Sequence, residues 1–482
     1  MLDTSTIQAI KSLLGPSGWR APEDAARYFE DPRGRFEGRA ALIALPSDTA
    51  QVAAVMRLCF DAAMPVIPYG GGTGVVAAQL SIDSGAVLIL SLERMNRLRG
   101  VSAADGTMTV EAGAILEQVH GMAEARGLTF PLSMGSKGSC TIGGNLATNA
   151  GGIQVLRDGN ARDLCLGVEA VLADGSVLDE LTPLRKNNIG YDLRHLLIGS
   201  EGTLAVITAA TLAVRPLDAE TVTAFCAIDG PETAVALLGA LRADFGTAVS
   251  ALELMSGFGL DLALDTLDGL RRPLETRAPW YLLVEMGGPQ GMRHRVEDHL
   301  ARQMEAGAVL DAVLAETLAQ RQAIWALRER TPEVNHRNGA ICSSDTSVPI
   351  SHIPDFVART HAAVAAVHPG LRINSYGHVG DGNIHCNVFP PEGAAKAAFL
   401  AAHAGINDAV RMAITRVSHD LGGSISAEHG IGRLKIEDMA QFASPVRLAM
   451  MRRIKAALDP KGILNPGALL PPNPRRNDVD SQ

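Results

Sequence analysis

The sequence predicts an α+β protein with two domains, and three observations lead to this prediction. The chain has 482 residues, which is more than one hydrophobic core usually supports. Its first part alternates short apolar runs, closed by turn residues, with helical patterns, as mixed α/β domains do. After Arg215-Pro216 the chain becomes rich in Ala and Leu and carries long helical patterns beside strand-like runs. This change in composition indicates a second domain.

The first domain contains several predicted strands and a predicted helix. Residues 47–64 carry apolar side chains at helical spacing, and Ser47 could cap this helix. Short apolar or alternating runs that end in turn residues predict strands. These runs are PVIPYG, AVLILSL, TMTVEAGA and AVLADGSVLDE.

The second domain combines strands with longer helices. TVTAFCAIDG and PWYLLVEMGG predict strands, and LAETLAQRQAIWALRERTPEVNHRNG predicts a long helical region. A further helix is expected near residues 444–458, and the segment DPKGILNPG at 459–467 ends it. The tail at 471–482 has little to bury and is expected to be disordered.

Composition and charge argue against several classes of protein. The net charge of −9 speaks against nucleic-acid binding, which needs a basic face. The six cysteines are scattered without a CxxC pair, so free thiols in a reducing compartment are expected. The N-terminus lacks the features of a signal peptide, and no apolar stretch approaches the ~20 residues of a membrane helix. We therefore expect a cytoplasmic protein with no membrane span, and a homodimer because that assembly is the commonest.

The first glycine-rich stretch, PYGGGTG at 68–74, suits a ligand-binding loop. Gly70, Gly71, Gly72 and Gly74 let the backbone approach a ligand closely, and consecutive N–H groups in such a loop can bind an anion. A plain flexible turn is the alternative, and this stretch alone leaves both interpretations open. The GxGxxG order of a Rossmann loop is absent.

Two more glycine-rich stretches favour the ligand-binding interpretation. PLSMGSKGSCTIGGNLATNAGG occupies residues 131–152, and KNNIGYDLRHLLIGSEGTLAVIT occupies residues 186–208. Three such loops in one α/β domain suit an extended ligand with phosphates in its middle.

The stretch GHVGDGNIHCN at 377–387 predicts a β-hairpin that carries two histidines. Asp381-Gly382 is a signal for a two-residue turn, and that turn would place His378 directly opposite His385. Directly opposed residues have Cβ atoms about 4.5–5.5 Å apart, so two imidazoles could share a metal ion. Asn387 would lie on the same face as His385, and Cys386 on the other face.

A catalytic metal needs a third protein ligand, and SISAEHGIGRLK at 424–435 offers Glu428 beside His429. Adjacent Glu and His in a glycine-flanked loop suit one ligand and one acid–base group. The alternative is that His378, His385 and His429 are ordinary polar or hydrogen-bonded residues. The hairpin geometry favours the metal site.

The three glycine-rich stretches, with GHVGDGNIHCN and AEHGIGR, resemble the vanillyl-alcohol oxidase / p-cresol methylhydroxylase superfamily of flavoproteins. They look most like its branch of FAD-dependent D-2-hydroxyacid dehydrogenases. That branch includes D-lactate and D-2-hydroxyglutarate dehydrogenases and the glycolate oxidase D subunit. The resemblance covers roughly residues 35–470 and contains several motifs in the family's order.

This resemblance implies a domain organisation. A two-part FAD-binding domain of the p-cresol methylhydroxylase type would occupy residues 1–218. A substrate- and metal-binding cap domain, with an antiparallel sheet flanked by helices, would occupy residues 219–456. Residues 457–470 would return to the FAD-binding domain.

The resemblance also implies FAD as the cofactor, with its pyrophosphate held by backbone N–H groups of Gly71 to Gly74. Glu201 and Ile207 match family positions near the adenosine end and the isoalloxazine support. The first loop has no histidine, so the FAD is expected to be non-covalent. The residues expected to bind FAD are Gly70, Gly71, Gly72, Thr73, Gly74, Pro131, Gly135, Thr141, Gly144, Asn145, Thr148, Asn149, Ala150, Gly151, Gly152, Glu201, Ile207 and Asn465.

The same resemblance assigns roles in the second half of the chain. His378, His385 and Glu428 would bind a divalent metal, Zn²⁺ or Mn²⁺, between which these ligands cannot choose. His429 would act as the general base and contact the substrate. Asn387 would help to hold the substrate, and Arg328 would bind its carboxylate. For Arg328, a solvated helix arginine is the alternative.

The implied reaction is oxidation of a D-2-hydroxy acid to the 2-oxo acid by hydride transfer to FAD N5. The metal would hold the substrate hydroxyl and carboxylate, and electrons would leave to a partner such as an electron-transfer flavoprotein or a quinone. Family members that act on 2-hydroxyglutarate tend to carry a Thr and a Lys where this chain has Pro332 and Ser343. Neither residue replaces the charge, which argues for a different D-2-hydroxy acid.

Two other functions remain open from the sequence. One is a non-redox FAD-dependent transferase of the same superfamily. The other is a metallohydrolase in which the glycine-rich domain binds a nucleotide and the His/Glu site activates water.

Overall fold

The computed structural model describes residues 4–82 and 84–472. The chain divides into two units. Unit 1 contains the chain up to Gly152, Gly159–Leu217, and the chain from Glu428 onward. Unit 2 contains Ile153–Asp158 and Asp218–Ala427. Of the predicted disordered tail, residues 473–482 lie outside the described part of the chain.

The helices are α1 (Thr4–Leu14), α2 (Thr49–Asp61), α3 (Leu116–Glu124), α4 (Ile142–Ala147), α5 (Val155–Asp158), α6 (Leu193–Leu197), α7 (Pro231–Phe245), α8 (Gly257–Thr266), α9 (Met292–Glu305), α10 (Leu318–Glu329), α11 (Thr331–Arg337), α12 (Ile353–Val367), α13 (Lys396–Ala402), α14 (Ile406–Asp420), α15 (Ile436–Phe442) and α16 (Pro445–Leu458). In the described ranges, no helix is both long and apolar enough to cross a membrane.

The strands are β1 (Trp19–Arg20), β2 (Leu42–Ala44), β3 (Val66–Tyr69), β4 (Leu88–Ser91), β5 (Leu98–Ser102), β6 (Thr107–Glu111), β7 (Leu128–Thr129), β8 (Cys165–Val171), β9 (Val177–Glu180), β10 (Val206–Ala213), β11 (Arg215–Pro216), β12 (Glu220–Ile228), β13 (Val249–Ser256), β14 (Trp280–Gly288), β15 (Asp311–Leu314), β16 (Cys342–Ser343), β17 (Thr346–Ser347), β18 (Arg372–His378) and β19 (Asn383–Phe389). Each strand-like run quoted from the sequence overlaps at least one of them.

Unit 1 is built on two main sheets that share one core. The first has the order β1-β2-β4-β3, with β4 parallel to both β2 and β3. The second has the order β5-β6-β10-β8-β9 and is antiparallel. Leu42 and Leu88 from the first sheet lie in the same buried cluster as Val110 and Val168 from the second. The fold of unit 1 therefore has two sheets, as the prediction of a two-part domain requires.

The N-cap of helix α2 lies one residue after the predicted one. Asp48, and not Ser47, is the N-cap, because its side chain accepts a hydrogen bond from the Gln51 N–H at 2.8 Å. Ser47 instead donates its backbone N–H to the Gln51 side chain at 2.9 Å. Both residues therefore help to start the helix, but their roles differ from the prediction.

The return of the chain to unit 1 occurs at Glu428, and not at residue 457 as predicted. The backbone N–H groups of Ile431 and Gly432 donate to the carboxylate of Glu201 at 2.8 and 2.7 Å. Lys455, in α16, donates to the Thr203 carbonyl at 2.7 Å. These contacts join the segment before α15, and α16, to the rest of unit 1, and they could not be predicted from local sequence patterns.

Unit 2 contains an eight-stranded antiparallel sheet, as predicted for the cap domain. Its order is β15-β12-β14-β13-β18-β19-β16, and β17 also pairs with β19. One face is apolar: Leu252 and Leu254 of β13 pack with Leu237 of α7, Phe356 of α12 and Val410 of α14. The other face carries polar side chains on the central strands, and this face holds the candidate site.

Candidate active site

The hairpin formed by β18 and β19 has a different register from the predicted one. His378 lies opposite Asn383, and Tyr376 lies opposite His385. The turn is longer than two residues: the Gly382 N–H donates to the His378 carbonyl at 3.2 Å, and the Asp381 side chain accepts from the Asn383 N–H at 3.0 Å. The prediction that the two histidines directly face each other is therefore wrong.

The two histidines nevertheless share one face of the sheet. In this register they are diagonal neighbours, and diagonal neighbours in an antiparallel pair lie on the same side. Their ring centroids are 6.0 Å apart. Both side chains are buried. Cys386 lies on the opposite face, where its thiol is 3.5 Å from the Ser375 hydroxyl, so its predicted direction is confirmed.

Each histidine has one ring nitrogen fixed by the protein. Nδ1 of His378 donates to the carboxylate of Glu253 at 2.5 Å, and Nδ1 of His385 donates to the Ser344 carbonyl at 3.2 Å. Both partners are acceptors, so in the neutral rings Nδ1 carries the proton and Nε2 carries the lone pair. This is the tautomer in which metal-ligating histidines are usually held.

Glu428 completes a group of three possible ligands. It directly follows Ala427, whose N–H donates to the Asp345 carbonyl at 3.3 Å. One ligand atom from each of His378, His385 and Glu428 lies within 4.8 Å of the other two. Two imidazoles and a carboxylate are a donor set that suits Zn²⁺ or Mn²⁺. This donor set fits the predicted metal, and the role of the three residues as its ligands stays a prediction.

Arg328 is buried and belongs to this network, so it is not the solvated helix arginine of the alternative interpretation. Its side chain is 8% exposed. Nε donates to Glu253 at 2.6 Å, and Nη2 lies 3.4 Å from Nε2 of His378. The guanidinium also lies over the Tyr376 ring, 4.8 Å from its centroid.

Sequence reasoning missed Glu253, the carboxylate that joins His378 and Arg328. It lies on β13 directly opposite His378, and its side chain is 1% exposed. Burial opposes its ionised form, but the interactions with His378 and Arg328 outweigh burial and hold its pKa well below the usual range. Glu253 is therefore a fixed negative charge behind the site. No local motif marks it, since its partners are far away in the chain.

Asn387 continues the polar face. Its side-chain amide donates to the Tyr376 hydroxyl at 3.3 Å, and it lies opposite Asn374 on β18 and Ser343 on β16. Ser343 is exposed, whereas Pro332 lies at the start of α11. Neither of these two positions carries a charge, as the sequence indicates.

His429 directly follows Glu428 in the loop between α14 and α15. Its side chain is half-buried. The loop places a titratable imidazole immediately after a possible metal ligand. The predicted role of His429 as a base is taken up below as a proposal.

In unit 1 the first two glycine-rich stretches pack against each other. A Cβ atom on Gly71 would lie 2.0 Å from the Ser139 carbonyl oxygen, and one on Gly70 would lie 2.8 Å from the Thr141 hydroxyl. Thr141 caps α4 by accepting from the Gly144 N–H at 3.3 Å. A cavity of about 570 Å³ opens beside them, lined in part by Tyr69, Gly70, Gly71, Gly72, Ser139 and Thr141.

One buried donor beside these loops has no partner. Asn145, in α4, is 3% exposed, and its Nδ2 makes no hydrogen bond within the described residues. Buried donors are rarely left unsatisfied, so this amide fits a polar ligand. Together with the close glycine backbones, it fits the phosphate-containing cofactor expected for this domain.

Residues of the second stretch that follow α4 make further close contacts. The Thr148 hydroxyl donates to the Gly144 carbonyl at 3.1 Å, and the Asn149 side chain accepts from the Arg162 N–H at 3.0 Å. Gly152 passes so close to Ser133 that a Cβ atom would lie 2.0 Å from its carbonyl oxygen. The remaining predicted FAD residues of this region are Thr73, Gly74, Pro131, Gly135, Ala150 and Gly151.

Glu201 has a structural partner. Its carboxylate accepts the two N–H groups of Ile431 and Gly432, and Asn465 donates to its carbonyl at 2.8 Å. Burial raises the pKa of Glu201 in spite of these two hydrogen bonds. Ile207 lies on β10 next to a β-bulge, opposite Ala170. The carboxylate of Glu201 thus anchors the returning segment, and its predicted contact with FAD stays a prediction.

Comparison with known proteins identifies the family. The sequence model of the C-terminal domain of FAD linked oxidases matches residues 217–469, and that of an FAD binding domain matches residues 40–180. The solved structure of p-cresol methylhydroxylase with substrate bound covers 96% of this chain and 96% of its own, with a TM-score of 0.73 at 15% identity. It shows a shared fold.

Two curated relatives extend over most of the chain. A protein of Oryza sativa subsp. japonica, named probable D-2-hydroxyglutarate dehydrogenase, mitochondrial, is 36% identical over 98% of this chain and 82% of its own. The D-2-hydroxyglutarate dehydrogenase of Xanthomonas citri pv. viticola is 36% identical over 93% of both chains. The predicted resemblance is confirmed, and the FAD-binding domain argues against a metallohydrolase without flavin. The chain belongs to the family of FAD-linked oxidases that also contains these D-2-hydroxyglutarate dehydrogenases.

Proposed function

We propose that this protein oxidises a D-2-hydroxy acid to the 2-oxo acid, with FAD as the hydride acceptor and a divalent metal at His378, His385 and Glu428. The observation that carries the proposal is that His378 and His385 are held in the same tautomer. Both histidines have Nδ1 hydrogen-bonded to an acceptor, which places the lone pair on Nε2. One possible ligand atom of each histidine lies within 4.8 Å of the other and of a Glu428 oxygen. A flavin domain in the same chain gives such a site a redox purpose.

The divalent cation and FAD would each supply a well-known chemical step. A divalent cation would acidify and orient the substrate hydroxyl, and FAD would accept a hydride at N5. The protein must then bind the acid, hold its C–H bond in position and remove the hydroxyl proton. When the hydroxyl loses a proton and the carbon loses a hydride, the product is the 2-oxo acid.

Arg328 would bind the substrate carboxylate. Because Nε is engaged by Glu253, the terminal Nη1 and Nη2 would form the bidentate pair that suits one carboxylate. The stacking on Tyr376 holds the plane of the guanidinium. Asn387, whose amide also contacts Tyr376, would offer its side-chain oxygen and remaining N–H to the substrate.

His429 would take the hydroxyl proton. An imidazole titrates near neutral pH, which suits a general base at working pH. Electrons would then leave the reduced flavin to an electron-transfer flavoprotein or a quinone.

The choice among D-2-hydroxy acids depends on the far end of the substrate. The names of the relatives point to D-2-hydroxyglutarate. Pro332 and Ser343 carry no charge that could bind its second carboxylate. We therefore propose that a D-2-hydroxy acid with a neutral side chain, such as D-lactate, is preferred over D-2-hydroxyglutarate.

Anaerobic bleaching of the flavin by a panel of D- and L-2-hydroxy acids tests this proposal. The panel should include D-lactate, L-lactate and D-2-hydroxyglutarate. We expect bleaching by D-acids, with D-lactate more effective than D-2-hydroxyglutarate. No bleaching by any D-acid would contradict the proposal and would favour a non-redox FAD transferase. Equal bleaching by both enantiomers would contradict the stereochemical part alone.

A further inference from the structure

We propose that Glu253 is a positioning residue, which orients a metal ligand and the substrate-binding arginine at the same time. The identity of those two side chains rests on the proposed function. One oxygen of Glu253 accepts from Nδ1 of His378 at 2.5 Å, and the other accepts from Nε of Arg328 at 2.6 Å.

The first consequence concerns the His378 ring. A neutral imidazole can carry its proton on either nitrogen, and it binds a metal only through the unprotonated one. A buried carboxylate at Nδ1 favours the form that carries the proton on Nδ1 and the lone pair on Nε2. Loss of such a partner typically weakens metal binding by about 10–100-fold.

The second consequence concerns Arg328. The guanidinium has five N–H donors in a fixed fork, and Glu253 takes the one on Nε. This contact fixes the orientation of the guanidinium and balances its buried charge. Loss of Glu253 would free the guanidinium to rotate, so carboxylate binding would weaken together with metal binding. A single substitution would then affect two ligands that bind to different side chains.

A purely structural ion pair is the alternative, and the chain offers a matched control for it. Glu285 lies on β14, on the same face of the same sheet, and its side chain is 3% exposed. Its carboxylate accepts from Nε of Arg321 at 2.9 Å and from the Trp325 indole at 2.6 Å. Both partners belong to α10, the helix that carries Arg328. Glu285 therefore reproduces the burial and the arginine contact of Glu253 without a histidine.

The experiment compares Glu253→Gln with Glu285→Gln in the full chain. Binding of Zn²⁺ and of Mn²⁺ to metal-stripped protein is measured by isothermal titration calorimetry, and thermal unfolding is followed in parallel. We expect both variants to melt at lower temperature. Only Glu253→Gln should bind the metal about 10–100-fold more weakly and raise KM for the 2-hydroxy acid more than it lowers kcat. Glu285→Gln should keep the wild-type metal affinity.

A second readout needs no metal. In ¹⁵N NMR spectra of histidine-labelled, metal-stripped protein, Nδ1 of His378 should be protonated in the wild type and should lose that preference in Glu253→Gln. Glu253→Asp keeps the charge on a shorter side chain, so it should show an intermediate affinity, and it replaces Glu253→Gln if that variant does not fold.

Three outcomes separate the possibilities. If the wild type binds metal and the folded Glu253 variants bind it equally well, the positioning role is wrong. If Glu285→Gln weakens metal binding as much as Glu253→Gln, the effect is general destabilisation and the inference is again wrong. If the wild type binds neither metal, the proposed metal site fails, while the NMR tautomer still decides whether Glu253 orients His378.

Discussion

The guanidinium of Arg328 lies over the ring of Tyr376, 4.8 Å from its centroid. An arginine over an aromatic ring is attracted to the ring face, and here the ring belongs to the strand that carries His378. The stack and the Glu253 contact together fix both the position and the plane of the guanidinium. A flat, fixed fork is what recognition of one carboxylate requires.

Replacement of Arg328 by lysine should therefore weaken substrate binding although the charge is kept. A lysine has no planar fork and cannot donate to Glu253 and to a substrate carboxylate in the same geometry. Loss of a charge-assisted hydrogen bond costs about 1.5–3 kcal/mol, so KM for the hydroxy acid should rise about 10–100-fold while kcat changes less. Steady-state kinetics with an artificial electron acceptor measures both.

Arg330→Lys is the matched control for that substitution. Arg330 lies two residues away and pairs with Glu333 at 3.0 Å, but its side chain is 39% exposed. We expect its KM to stay at the wild-type value. An equal rise in KM in the two variants would show that Arg328→Lys acts by disturbing this helical region and not by losing a substrate contact.

Loss of His385 should remove the metal. His385→Ala takes away a proposed ligand, whose ring is fixed by the Ser344 carbonyl. After dialysis against Zn²⁺, the zinc content measured by mass spectrometry should fall from about one ion per chain to near zero. Two protein ligands do not make a stable site.

His361→Ala provides the comparison. Nε2 of His361 is 2.9 Å from the Ser375 hydroxyl, on the opposite face of β18 from His378. This variant loses a hydrogen bond in the same sheet, so it should be less stable but keep its metal. A His385→Ala protein with full metal content would rule out His385 as a ligand.

The possible metal ligands could be found from sequence because two of them lie in one hairpin and the third in a short motif. The register could not be found, because the Asp381 side chain closes a longer turn than the Asp-Gly pair predicts. Glu253 could not be found at all. Its contact with His378 requires β13 to pair with β18, and this pairing depends on the whole sheet and not on any local pattern.

The same limit applies to the fold. The strands and α16 follow from apolar periodicity and turn residues within short windows. The return of the chain to unit 1 depends instead on the Glu201 carboxylate, which accepts from the backbone of residues 431 and 432. Because a contact of this kind joins segments that are far apart in sequence, local patterns do not show where the chain returns.

Gly71→Ala should weaken FAD binding. The new Cβ atom would lie 2.0 Å from the Ser139 carbonyl oxygen, so one of the two glycine-rich stretches must move. Overpacking of this kind costs about 1–3 kcal/mol, which corresponds to about ten- to hundredfold weaker FAD binding. The ratio of flavin to protein absorbance after gel filtration measures the loss.

Gly121→Ala adds the same methyl group in the same unit without a clash. Gly121 lies within α3, and no atom lies within 4 Å of its added Cβ. It should keep its FAD and gain up to about 1 kcal/mol of stability from its better helix propensity. Full FAD occupancy in Gly71→Ala would contradict the assignment of this loop to the cofactor.

Glu201→Gln should loosen the returning segment. The carboxylate accepts from two backbone N–H groups, and a neutral amide offers only one oxygen to them. Hydrogen exchange at Ile431 and Gly432 should become faster by about tenfold or more, since a hydrogen bond to a charged group contributes about 1.5–3 kcal/mol. FAD content separates this anchoring role from the predicted cofactor contact: if FAD is lost while exchange is unchanged, Glu201 acts on the cofactor and not on the segment.

Unit 1 should lose stability in acid through Glu169. Burial opposes the ionised form of Glu169, but hydrogen bonds from Arg99, at 3.1 Å to both oxygens, and from Thr208 outweigh it and lower its pKa below 4.5. A group with a lowered folded-state pKa stabilises the protein fully above its unfolded-state pKa, and this contribution is lost as the pH falls through the folded-state value. Glu169→Gln should therefore be about 1–3 kcal/mol less stable than the wild type at pH 7, and the difference should shrink below about pH 4.5.

Urea unfolding between pH 7 and 3 measures this difference in stability. Glu124→Gln, at an exposed position, is the control and should stay within about 0.5 kcal/mol of the wild type. A difference that stays constant across this range would show that Glu169 acts through packing and not through its charge.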